Sequence, residues 1–151
     1  MLLCIGLESA AQLEDVSLDH LMESSTFGSL FGCGLSTVDF NGDGWDDVTL
    51  ADAEGFIKLY TGGEAGLTFY LEFDLVNEAK SVLWVDIEND GDLDLFAGAM
   101  NLGVYLFVQQ PDGSLVEEGS LRGVPLLPGW DNRGISARDY DRDGDLDIYI
   151  A

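Results

Sequence analysis

A chain of 151 residues, 46% of them hydrophobic, is long enough for one ordinary domain and apolar enough to pack a core, which argues against disorder. Its 29 acidic residues against 6 basic ones leave a net charge of −23, a surface that repels nucleic acid and anionic membrane. No stretch is apolar for long enough to span a membrane, so the composition suits a soluble protein that holds cations or one from a salty environment.

Residues 1–26 form an N-terminal segment. "MLLCIGLESAAQ" is apolar from Leu2 to Leu7 and then carries the small residues Ser9, Ala10 and Ala11. That pattern reads as the remnant of a secretory signal ending near residue 11, although the basic n-region is missing; an ordinary apolar first strand is the alternative. "LEDVSLDHLMESS" has the only helical look in the chain. The two cysteines, Cys4 and Cys33, have no metal-type spacing. Cys33 between two glycines reads as a small buried residue, with a Cys4–Cys33 disulfide as the lesser alternative.

Residues 27–151 are repetitive. "DFNGDGWDD" (residues 39–47), "DIENDGDLD" (86–94) and "DYDRDGDLD" (139–147) share one pattern and hold 14 of the 29 acidic residues. Halophilic acidity would be spread over the surface, so this clustering needs a local cause. Each loop is preceded by a short, mainly apolar run ("GLSTV", "SVLWV", "GISAR") and followed by another ("DVTLAD", "DLFAGA", "DIYIA"). Runs of this length, rich in Val, Ile, Leu, Phe, Tyr and Thr, read as strands. Further strands follow at "FIKLYTG", "GLTFYLEFDL" and "GVYLFVQQ", and after the turn "PDGS" an outer strand at "SLVEEG". About four strands per repeat and an uneven period near 50 residues predict an all-β chain of antiparallel β-propeller blades. Two and a half to three blades do not close a ring, so the chain reads as a fragment of a longer protein, with completion by other copies as the alternative.

Loop position two is apolar each time (Phe40, Ile87, Tyr140), as is position ten (Val48, Leu95, Ile148), and these residues are expected to anchor each loop to the core. Oxygen donors at positions one, three, five and nine, with a backbone carbonyl at seven, converge on one centre when the chain curls. Hard, charged oxygens select a hard cation, and Ca²⁺ accepts 6–8 of them in irregular geometry. Gly44, Gly91 and Gly144 stand at position six, where a sharp turn needs positive φ. No soft ligand is present to favour zinc, copper or iron–sulfur. An EF-hand begins alike but requires Glu at position twelve. Leu50, Ala97 and Ile150 stand there instead, each within a strand-like run.

The loop, its period and its strand context resemble the FG-GAP/VCBS repeats of integrin α-type calcium-binding propellers, from about Phe27 to Ala151. "RDYDRDGDLDIYIA" is the closest match; "FGCG" and "AGA" are similar to the Phe-Gly and Gly-Ala parts of the family's name. The resemblance implies about three Ca²⁺ ions, one per loop. Their side-chain ligands would be Asp39, Asn41, Asp43 and Asp47; Asp86, Glu88, Asp90 and Asp94; and Asp139, Asp141, Asp143 and Asp147. The carbonyls of Trp45, Asp92 and Asp145 would complete the three sets. Glu88 departs from the usual Asp or Asn by one methylene.

Nothing in the chain demands an enzyme. His20 is the only histidine and sits in a polar segment, so a triad would have to use it. No glycine loop with lysine offers a phosphate cradle. Trp84 and Trp130 are expected in the core or between blades, and Trp45 exposed. The resemblance implies a secreted or cell-surface module whose calcium is structural and whose propeller serves adhesion or recognition of a protein or glycan. The alternative is a non-catalytic module of a larger secreted enzyme, such as one that degrades polysaccharides. An intracellular calcium sensor is disfavoured, because its loops need flanking helices.

Overall fold

A computed structural model describes the backbone of two short strands, β1 (Ile5–Leu7) and β2 (Leu13–Asp15), and residues 33–124 and 126–151 in full. β1 and β2 pair antiparallel. The segment with a helical look therefore begins as a strand at Leu13–Asp15, and its remainder, with His20 and Cys4, lies outside the described residues. No helix occurs among the described residues, and none there is long and apolar enough to cross a membrane.

Two four-stranded antiparallel meanders follow. The first runs β3 (Leu35–Val38), β4 (Asp47–Ala51), β5 (Phe56–Thr61) and β6 (Thr68–Asp74); the second runs β7 (Ala79–Val85), β8 (Asp94–Ala99), β9 (Gly103–Gln109) and β10 (Leu115–Glu117). In each, neighbours in sequence are neighbours in the sheet, the connectivity of a propeller blade. A hairpin of β11 (Ile135–Arg138) and β12 (Asp147–Ile150) begins a third. The chain is all-β, built as a partial propeller of stacked blades.

The second blade is the filling between the other two, which explains its nearly unbroken apolar strands. Every residue of β8 is buried. Side chains alternate between faces along a strand: Leu95, Ala97 and Ala99 join a core shared with Ile57, Leu59 and Leu75 of the first blade. Phe96 turns the other way, with Val104, Leu106 and Val108 of β9, onto Ile135, Ala137 and Ile148 of the third. Two cores, one between each pair of sheets, thus replace the single core of a sandwich.

Polar and aromatic contacts fix the stacking. Trp84 is buried against Phe40, and its Nε1 donates to Thr49 Oγ1 at 2.8 Å across the first interface. Phe73 of the first blade stacks on Phe107 of the second at 4.1 Å. The backbones come close enough that a Cβ on Gly34 would lie 3.0 Å from the main chain of Ser81. Trp130 departs from expectation: it is 66% exposed, in the connection before β11 rather than in a strand. Cys33 is half-buried with its Sγ 4.0 Å from Glu78 Oε1.

Candidate metal centres

The three acidic loops occupy equivalent places, each joining the first strand of a blade to its second. Their registers are identical. Val38 pairs with Asp47, Val85 with Asp94 and Arg138 with Asp147, so position nine always begins the return strand opposite the residue before position one. Position six has positive φ in all three, at 91° for Gly44, 98° for Gly91 and 100° for Gly144. Position four does too, at 72° for Gly42, 56° for Asn89 and 65° for Arg142. This second left-handed residue is missed from the sequence because its identity changes from loop to loop, and only Gly42 and Asn89 hint at it.

The carboxylates organise the backbone they sit on. Asp39 Oδ2 accepts from the N–H of Gly44 at 2.8 Å, Asp86 Oδ2 from Gly91 at 2.9 Å and Asp139 Oδ2 from Gly144 at 3.2 Å. Position five accepts from the N–H two residues on: Asp43 from Trp45, Asp90 from Asp92 and Asp143 from Asp145. These Asx turns hold each loop in a tight bend.

Position nine has a second duty. Asp47 is 1% exposed and Asp94 2% exposed. Asp47 Oδ2 accepts from Phe40 N–H at 3.0 Å and its Oδ1 from Gly62 N–H at 2.8 Å. Asp94 repeats this with Ile87 at 3.1 Å and Gln109 at 2.9 Å. Asp147 Oδ2 likewise accepts from Tyr140 N–H at 2.8 Å. In the first two blades each carboxylate therefore ties its own loop to the end of the third strand. Burial pushes the pKa values of Asp47 and Asp94 upward. The two N–H donors pull each back, and neighbouring carboxylates (Asp43 and Asp39, Glu88 and Asp90) push the same way as burial.

The anchoring residues follow the completeness of each interface. Phe40 is buried, Leu95 is fully buried, and Ile87, Val48 and Ile148 are half-buried. Tyr140 corrects the expectation: it is 76% exposed, with its ring edge-on to Tyr149. Trp45 is 49% exposed. It lies on the rim beside Gly62, where a Cβ would meet the Trp45 side chain at 3.1 Å.

The model of the FG-GAP-like repeat matches residues 39–97 and again residues 86–150, each match opening at position one of an acidic loop. The chain belongs to the FG-GAP-like repeat family. It is also similar to integrin alpha-6 of Gallus gallus, 25% identical over 151 residues that cover 88% of this chain and 14% of that protein. The chain thus spans a small part of the curated relative it matches.

The donor sets of these FG-GAP-like loops differ in their fit to a hard cation. In the third loop Asp139, Asp141 and Asp147 each bring an oxygen within 4.8 Å of the others, a convergence that fits one ion. Asp143 stands outside this convergent group, and the carbonyl of Asp145 follows two residues on. The first loop has the same donor types in Asp39, Asn41, Asp43 and Asp47 with the carbonyl of Trp45, and a side-chain charge one unit smaller, but its three carboxylates do not all meet in this way. In the second loop Asp86, Asp90, Asp94 and the carbonyl of Asp92 stand at the same loop positions without converging in this way, and Glu88 Oε1 lies 2.6 Å from Arg122 Nη1. Its carboxylate already faces a cation supplied by the chain.

Proposed function

We propose that this FG-GAP-like segment is a non-enzymatic, calcium-binding propeller module of a secreted or cell-surface protein, its ions stapling strands and its assembled surface serving adhesion or recognition of a protein or glycan. The observation that carries the calcium reading is the convergence of Asp139, Asp141 and Asp147 on one point of the third loop, in a turn whose register the first two loops share. Aspartate and amide oxygens are hard donors, and Ca²⁺ tolerates the irregular cage that one short loop makes better than Mg²⁺ does. The ion would neutralise side-chain charge that otherwise repels itself within each turn. A ligand at ten to a hundred times its Kd adds about 1–3 kcal/mol per site to the folded state. That is a large share of the stability of an ordinary domain. The extracellular setting and the recognition role rest on the likeness to an integrin α-chain, since a fold alone does not assign a partner.

Calcium titration by calorimetry, paired with melting curves in calcium and in chelator, tests the reading. Binding should saturate, and calcium should raise the melting temperature. Asp43→Ala and Asp143→Ala should each remove one ion from the stoichiometry. No heat at millimolar calcium and identical melting in chelator would overturn it.

A further inference from the structure

The second loop carries an ion pair that its two relatives lack. Position three is Glu88, longer by a methylene than the Asn41 and Asp141 that stand there in the other loops. Its Oε1 reaches Arg122 Nη1 at 2.6 Å. The same guanidinium donates through Nε to Glu118 Oε2 at 2.9 Å. Among the described residues, neither of the other loops meets an ion pair of this kind.

Arg122 is held where it is by the fold. It sits in the turn after β10, where its N–H bonds to the carbonyls of Glu118 and Gly119 at 3.0 and 3.2 Å. That turn is fixed to β9 by the bond from Glu118 N–H to Leu106 O at 2.9 Å. Val124, just beyond, packs into the same apolar cluster as Ile87, the neighbour of Glu88. Both partners are therefore anchored to one core, and their charged ends meet at its edge, each about a third exposed. A guanidinium placed in this way is always charged and cannot leave by deprotonation.

We infer that Arg122 is a tethered counter-cation for the second loop: it takes position three away from a divalent ion, so this loop binds the ion more weakly than the others and needs it less to stay folded. The inference rests on the reading that the loops bind divalent cations. A metal at this loop has to win Glu88 from Arg122, and it also feels the repulsion of a fixed positive charge at the rim. The methylene that distinguishes Glu88 from aspartate is what lets the carboxylate reach out of the bend. The outcome is a set of staples of unequal dependence on calcium within one module.

The test uses the whole chain carrying Asp43→Ala and Asp143→Ala, which leaves the second loop as the measured site, and calcium alone as the probe. Adding Arg122→Gln should tighten calcium binding roughly fivefold. In chelator the Arg122→Gln chain should melt below its parent, with calcium recovering the difference. Arg122→Lys keeps the charge and should bind calcium like the parent, which separates charge from packing. Binding by the parent with an affinity that Arg122→Gln leaves unchanged overturns the inference alone. Absence of saturable binding by the unsubstituted chain overturns the calcium reading and this inference together. If Arg122→Gln melts too low to titrate, Glu88→Gln supplies the second arm. It should leave calcium affinity nearly unchanged, because Glu88 is already withheld, and a large loss would overturn the inference.

Discussion

The indole of Trp84 lies flat on the ring of Phe40, 4.7 Å between centroids and 7° from parallel. Phe40 is the second residue of the first acidic loop, and Trp84 belongs to the first strand of the next blade. The seating of one blade's loop is therefore part of the interface with its neighbour. Trp84 also donates to Thr49 from inside that interface. Trp84→Phe should keep the stack and lose the donor, costing about 1–2 kcal/mol. Trp84→Ala should cost about 3–5 kcal/mol through the cavity it leaves. Urea unfolding of the two variants checks the order; equal losses would show that the stack contributes nothing beyond the hydrogen bond.

Asp47 and Asp94 are strand ties as well as candidate ligands. Asp47→Ala strips acceptors from the N–H groups of Phe40 and Gly62, and each buried unpaired donor costs about 1–3 kcal/mol. The variant should therefore be destabilised by about 2–4 kcal/mol even in chelator. A loss that appears only when calcium is present would mean that Asp47 acts solely as a ligand.

Arg142 takes φ of 65° at position four of the third loop, where the first loop has glycine. A side chain in the left-handed region is strained, while glycine adopts it freely. Arg142→Gly should stabilise the chain by about 0.5–1 kcal/mol. Thermal melting checks this, and a lower melting temperature would show that the Arg142 side chain makes a contact worth more than the strain.

Tyr105 connects blades: its hydroxyl donates to Leu75 O at 3.3 Å. Burial raises its pKa above the ordinary phenol value, with Glu117 and Asp74 adding to the rise. The folded state thus prefers the neutral phenol more than the unfolded chain does. Its contribution is complete below the unfolded value and is lost as pH climbs through the folded one. Stability should fall with alkalinity above about pH 10, and Tyr105→Phe should flatten that fall. Denaturation curves across this range decide it; parallel pH profiles for both proteins would remove Tyr105 from the account.

Much of the architecture was legible because its causes are local. Asx turns, left-handed glycines and short apolar runs are set by residues a few positions apart, so the loops at 39–47, 86–94 and 139–147 and the strands beside them can be read directly. The return strand opening at Asp47, Asp94 and Asp147 follows from the same spacing. The mistaken expectations concern which face a residue meets. Trp84 and Trp130 look alike in sequence, but only Trp84 stands on a strand facing a neighbouring blade. Tyr140 holds the place of Phe40, yet the packing that buries Phe40 comes from another blade's Trp84.

Three hard-oxygen loops in one register, the blade connectivity around them and the family they mark could be read from the chain, because pattern, turn chemistry and period all lie along it. Tertiary structure alone decided how each loop is used. It turned Asp47 and Asp94 inward onto N–H groups fifteen residues ahead, since only the folded meander brings the end of the third strand beside the loop. It also set Arg122 against Glu88, since both are carried to one edge by the apolar cluster that holds Ile87 and Val124.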